Sequence, residues 1–175
     1  MACNFTFNSK NEIAGVNIEN TKFIFGTHFE GDPAKDKYRS TKRYGNIIIP
    51  DPAFAEEMRN QGFNVKHIDP DLENYPNEDP AGIYYVSIIA NMDSSYPPKI
   101  YMISGIDIRV NSEPIMFDAD SLHLIDTMRV ENVDVFANQH TWDEGKTLYI
   151  RTMYVTQCLD DDPYYNKYRQ SVSDN

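Results

Sequence analysis

Only one stretch of this chain carries the punctuation of a helix, and its other apolar residues come mostly in short runs of strand length. Between Asp51 and Gly62, Asp51 can cap the first free amides and Pro52 suits the first helical position. Glu56 and Glu57 complement the positive end of the helix, and Gly62 can close the other end. Phe54, Ala55 and Met58 then share one apolar face. Strand patterns cover Asn17 to Phe29, Tyr44 to Ile49, Phe63 to Ile68, Ile83 to Ala90, Lys99 to Val110, Val133 to Ala137 and Leu148 to Val155. Asp118 to Thr127, with Leu122, Leu124 and Ile125, reads as a second, short helix.

The order is mainly β. A five-stranded Greek-key barrel of the OB type, with an inserted helix and a second short helix before its fourth strand, has this layout, as one all-β candidate among several. With 175 residues the chain is expected to form one domain over 16–158, after a flexible N-terminal extension (1–15) and before a flexible acidic C-terminal tail (159–175) that opens with Asp160, Asp161 and Asp162. That size needs no disulfide or metal to hold a core. The two cysteines, Cys3 and Cys158, form no disulfide framework and no zinc motif, which fits a reducing cytoplasm. The first residues lack a signal-peptide pattern, and no apolar run has membrane-spanning length, so no membrane partner is expected.

The formal net charge is −11, which taken alone repels phosphate. Its distribution matters more. Residues 35–43 hold Lys35, Lys37, Arg39, Lys42 and Arg43 against the single acid Asp36, so one basic arm stands out from an acidic body. Gly31 to Arg43 has turn residues and no apolar period, and reads as a long mobile loop.

Catalytic patterns are missing. The four histidines, His28, His67, His123 and His140, show no metal-ligand spacing, and there is neither a phosphate-binding glycine loop nor a nucleophile elbow. The expectation is a protein that is not an enzyme and has no cofactor.

Single strands of nucleic acid are held by cations that follow the phosphates and by aromatic faces that stack on bases. The arm interleaves its cations with Tyr38 and Tyr44. Read with period two, the strand from Lys99 sets Lys99, Tyr101 and Arg109 opposite a core face with Ile100 and Met102. The last strand, read the same way, sets Leu148, Ile150, Thr152 and Tyr154 on the core face and Tyr149, Arg151, Met153 and Val155 on the wet one. Two strands that each offer a tyrosine and a cation point to one binding surface, although ordinary strand exteriors can carry the same residues.

The segment from Trp142 to Val155, a Trp and short Gly turn followed by Tyr-Ile-Arg-Thr-Met-Tyr-Val, resembles the single-stranded-DNA-binding proteins encoded by tailed phages of Gram-positive bacteria. Gly62-Phe-Asn-Val-Lys66, Pro98-Lys-Ile-Tyr101 and Val130-Glu-Asn-Val-Asp-Val135 are similar to other pieces of that family, and the likeness runs from about Asn17 to Gln157. The resemblance implies an OB fold, sequence-tolerant binding of single-stranded DNA without catalysis, a role in phage replication or recombination, and residence in the host cytoplasm. It implies Arg151 as a strand cation at the DNA and Trp142 as the hairpin-tip residue. Gly31-Asp-Pro-Ala-Lys35 departs from the family's first loop, so the arm contacts rest on composition instead. The acidic tail is expected to dock replication or recombination proteins, and a homo-oligomer is compatible with the sequence.

Two other readings fit parts of the chain. An acidic DNA mimic or anti-defence protein would use the net charge, and would need a regular double row of acids. A phage structural or adaptor protein would use the tyrosines as a protein interface.

Overall fold

The computed structural model describes residues 3–104 and 113–158. It is mainly β, as the short apolar runs imply. Its strands are β1 (Cys3–Phe7), β2 (Ile13–Thr21), β3 (Phe23–His28), β4 (Tyr44–Ile48), β5 (Lys66–Ile68), β6 (Ile83–Ile89), β7 (Lys99–Ser104), β8 (Ile115–Phe117), β9 (Val130–Trp142) and β10 (Gly145–Gln157). The main path of pairing runs β1-β2-β9-β10-β6-β4-β3, with β5 beside β6 and with β7 between β10 and β8. Among the described residues no helix is long and apolar enough to cross a membrane.

The one α-helix among the described residues, α1 (Pro52–Asn60), begins and ends where its sequence dictates. The Asp51 carboxylate accepts the amides of Ala53 (3.0 Å) and Phe54 (3.3 Å), and Phe54, Ala55 and Met58 are buried. Gly62, at φ +96°, turns the chain out of the helix. Its carbonyl accepts the amide of Lys146 at 3.2 Å, and the Lys146 ammonium lies 5.2 Å from the Phe63 ring centre. A side chain at Gly145 (φ +142°) would press on that same carbonyl. The tip of the β9–β10 hairpin is thereby fastened to the end of α1. The expected second helix is a short 3-10 turn over Leu122–Thr127, with Leu122 and Ile125 in the core.

Where a loose N-terminal extension is expected, Cys3–Phe7 forms β1 in antiparallel register with β2. The polar composition of this segment hides its anchors: Cys3 is buried, and the Phe5 ring sits 4.6 Å from that of Phe54 on α1. The strands expected at Val133–Ala137 and Leu148–Val155 are longer, because each pairs with the other almost to the hairpin tip.

A departure from simple alternation lies in β10. Ile150 pairs with Ala137 and Thr152 with Phe136, so Arg151 is an extra residue in the ladder. A bulge of this kind exchanges the faces of everything beyond it. Leu148 and Ile150 are buried before the bulge, and Met153 and Val155 are buried after it. This corrects the uninterrupted period-two reading: Tyr154 lies on the outer face with Tyr149, and Met153 and Val155 belong to the core.

The neighbour of β10 changes at the same place. Leu148 and Tyr149 pair in parallel with Ile88 and Ile89 of β6, whereas Thr152 to Gln157 pair in parallel with Lys99 to Ser104 of β7. Residues 90–98 therefore leave the sheet beside Arg151.

Candidate nucleic-acid interface

One outer face runs across five strands. On β4, β6 and β10 the buried positions are Gly45 and Ile47, Val86 and Ile88, and Leu148 and Ile150. The alternate positions point outward, and the register aligns them. Tyr44 pairs with Ile89, Asn46 with Ser87 and Ile48 with Tyr85, and Ile89 pairs in turn with Tyr149. On β9, Asn138 stands opposite Tyr149, and His140 and Trp142 follow at period two. The Phe25 ring meets Tyr85 edge-on at 5.3 Å, and His28 lies 4.9 Å from Tyr44. His140 is 4.2 Å from Trp142 and 6.5 Å from Tyr149. Aromatic rings thus cross the sheet from β3 to the hairpin tip, where Trp142 is 52% exposed.

The arm between β3 and β4 is built around Asp36, which is only 6% exposed. Its carboxylate accepts the amides of Tyr38 (3.0 Å) and Ser40 (3.2 Å) and the Tyr44 hydroxyl (3.1 Å). These donors, the Tyr38 amide foremost, hold the Asp36 carboxyl below its usual range. Burial first, then the bond to Asp36, pushes the Tyr44 phenol up to about 12. Both roots of the arm are clamped to the 118–127 segment. Asp126 accepts the Thr27 hydroxyl (2.7 Å) and the amides of Phe29 and Glu30 (2.8 Å each). Arg43 donates to the carbonyls of Ala119 (2.8 Å) and Phe29 (3.4 Å). The loop expected to be mobile is organised by one buried acid and fixed at both ends.

Three grooves open on this side. The first, about 570 Å³, lies under the arm and is lined by Phe25, Lys37, Tyr38, Lys42, Tyr44 and Tyr85 among others. The second, about 550 Å³, lies between the hairpin and the 91–98 loop, with His140, Trp142, Tyr149 and Arg151 facing Tyr96. The third, about 610 Å³, lies on the other side of that loop, and Tyr96, Pro98 and Arg151 line both it and the second.

A family model described as "Putative phage ssDNA-binding domain" matches residues 6–173. The chain belongs to that family. No curated protein matches it. Among solved structures, it is similar to the single-stranded DNA-binding protein from bacteriophage Enc34. The C-terminally truncated form is 12% identical over 93% of this chain and 96% of that one, with a TM-score of 0.44. The longer form is 10% identical over 96% and 99%, at 0.45, and the form in complex with ssDNA is 12% identical over 91% and 97%, at 0.42.

The residues singled out from the sequence of this phage family member fall into distinct settings. Lys37, Tyr38, Lys42 and Tyr44 line the arm groove. Trp142, Tyr149 and Arg151 meet in the hairpin groove, and Lys99 lines the neighbouring one. Tyr101 stacks on Tyr154. Lys35 is ion-paired with Glu30 at 3.0 Å, Arg39 is exposed with φ +53°, and Arg43 is engaged by the carbonyls described above. Arg109 lies outside the described residues, as does the whole expected tail, 159–175, with Asp160 to Asp162. Sequence reasoning missed Phe25, Tyr85, Tyr96 and His140. Period two counted back from Trp142 marks His140, and period two along β6 marks Tyr85, but Tyr96 sits in a loop without a pattern.

Proposed function

We propose that this chain binds single-stranded DNA across the outer face of β4, β6, β9 and β10, without catalysing a reaction, in phage DNA replication or recombination in the host cytoplasm. The observation that carries the reading is the aligned row of aromatic side chains from Phe25 to Trp142, with Lys37 and Lys42 at one end and Arg151 at the other. Bases stack on such faces whatever their sequence, and cations beside them neutralise phosphates. Family membership supports the same reading.

The scaffold in this proposal is a five-stranded OB-type barrel. Lys22 alone separates β2 from β3, and β2 pairs with β9 while β3 pairs with β4. With β2 and β3 taken as one bent strand, the circuit β2/β3–β4–β6–β10–β9 returns to its start. The bend is supported by Asn20 (φ +57°), whose amide donates to the Asp134 carboxylate at 2.7 Å. The barrel lies within 13–158, three residues longer at its start than the expected 16–158, with β1 (Cys3–Phe7) added at its edge, and the acidic residues beyond it dock replication or recombination proteins.

The test is fluorescence anisotropy with a labelled single-stranded oligonucleotide and its duplex, each at low and high salt. Preferential binding of the single strand, weakened by salt, is expected. Equal affinity for both forms would count against stacking on the outer face.

A further inference from the structure

We infer that the groove beyond Arg151 is a separate base pocket, which takes one unstacked nucleobase of the strand bound along the hairpin groove. The inference rests on the single-strand reading and adds a path and a subsite to it.

The pocket exists because of the strand exchange at β10. β6 stops beside Tyr149, β7 starts beside Thr152, and the 91–98 loop rises between them next to the bulged Arg151. The loop divides the surface into two grooves with a shared boundary at Tyr96, Pro98 and Arg151. Tyr96 is 79% exposed on that boundary. A strand that follows the aromatic row from Trp142 past Tyr149 reaches this boundary at Arg151, which lines both grooves.

The two sides of the far groove differ in chemistry. Met92, Tyr96, Pro97 and Met116 give it apolar and polarisable surfaces, and Met116 is 58% exposed. Thioether sulfur and tyrosine both make favourable contacts with flat aromatic rings. Lys99 and Arg151 stand at the same groove as cations for the phosphates on either side of the inserted nucleotide. At about 610 Å³ the space takes a nucleobase and its sugar with room for water. A duplex cannot use it, because its bases are paired and stacked inward. The pocket therefore also favours single strands over duplex.

The experiment is a ladder of 5′-fluorescein-labelled oligothymidylates of increasing length, titrated against the full chain and its Met116→Glu and Met116→Ala variants. Met116 is exposed, so neither change touches the core. In the unsubstituted protein, affinity should rise with length to a plateau. In Met116→Glu the plateau should come at a shorter length and lie about tenfold weaker, the size expected for one lost base contact. Met116→Ala should show the same shape with a smaller loss. Ladders that coincide, or a loss of the same factor at every length, would overturn the pocket and leave outer-face binding standing. No binding by the unsubstituted protein at any length would instead remove the single-strand reading, and the pocket with it.

Discussion

Tyr101 and Tyr154 stack directly across the parallel β7–β10 pair, with ring centres 4.8 Å apart and planes 19° from parallel. The contact depends on the bulge at Arg151, because without it Tyr154 would face the core that Met153 and Val155 occupy. The pair ties β7 to the last strand on the outer face. Tyr154→Ala should destabilise the fold by about 1–3 kcal/mol, from a lost aromatic pair and part of its burial. A urea titration measures it. No change in midpoint would mean that the stack contributes nothing to holding β7.

Tyr149 and Arg151 lie on the same face but nearer the hairpin, and their role is different. Replacing both with Ala should weaken single-strand binding about tenfold or more and leave the thermal midpoint nearly unchanged. Ile150→Ala, one position away and buried, should cost about 2–5 kcal/mol of stability. Calorimetry on the two proteins separates the cases. Unfolding of the double variant would contradict its placement outside the core.

The cations of the arm are not equivalent. Lys37 and Lys42 line the groove, so replacing both with Ala should flatten the slope of log affinity against log salt by about 1.4, at about 0.7 per phosphate neutralised. Arg43→Ala should act mainly by loosening the arm, since its guanidinium is engaged by the Ala119 and Phe29 carbonyls. Its salt slope should stay close to that of the unsubstituted protein. A slope that drops as far for Arg43→Ala as for the lysine pair would make Arg43 a phosphate contact.

Asp36 and Tyr44 give the arm a defined pH range. The Asp36 carboxyl is lowered in the folded state, so its contribution is present above the ordinary carboxylate value of 3.8 and is lost as pH falls through the lower folded value. The Tyr44 phenol is raised from 10.0 to about 12, so its contribution is complete below pH 10 and is lost as pH rises from there to about 12. Stability measured by denaturant should fall between about pH 10 and 12, and by less in Tyr44→Phe. Equal losses in the two proteins would place the alkaline sensitivity in another group.

The sequence by itself determined α1, most of the longer strands and much of the surface chemistry, but not β1 or β8. Asp51, Pro52 and Gly62 set the helix because capping and φ preferences act within a few residues of chain. Period two found the inner and outer positions of β10 as far as Ile150, and composition marked Lys37, Tyr38 and Lys42 as one exposed arm. Only the tertiary structure decided what those pieces share. Arg151 becomes an extra residue in the ladder where β10 exchanges β6 for β7 as its neighbour, an event set by the register of three strands distant in sequence. Asp36 reads as one acid in a basic run until its buried carboxylate collects Tyr38, Ser40 and Tyr44. Tyr96 and Arg151 come together because a loop and a bulge meet, and no local periodicity encodes a contact between segments that far apart in the chain.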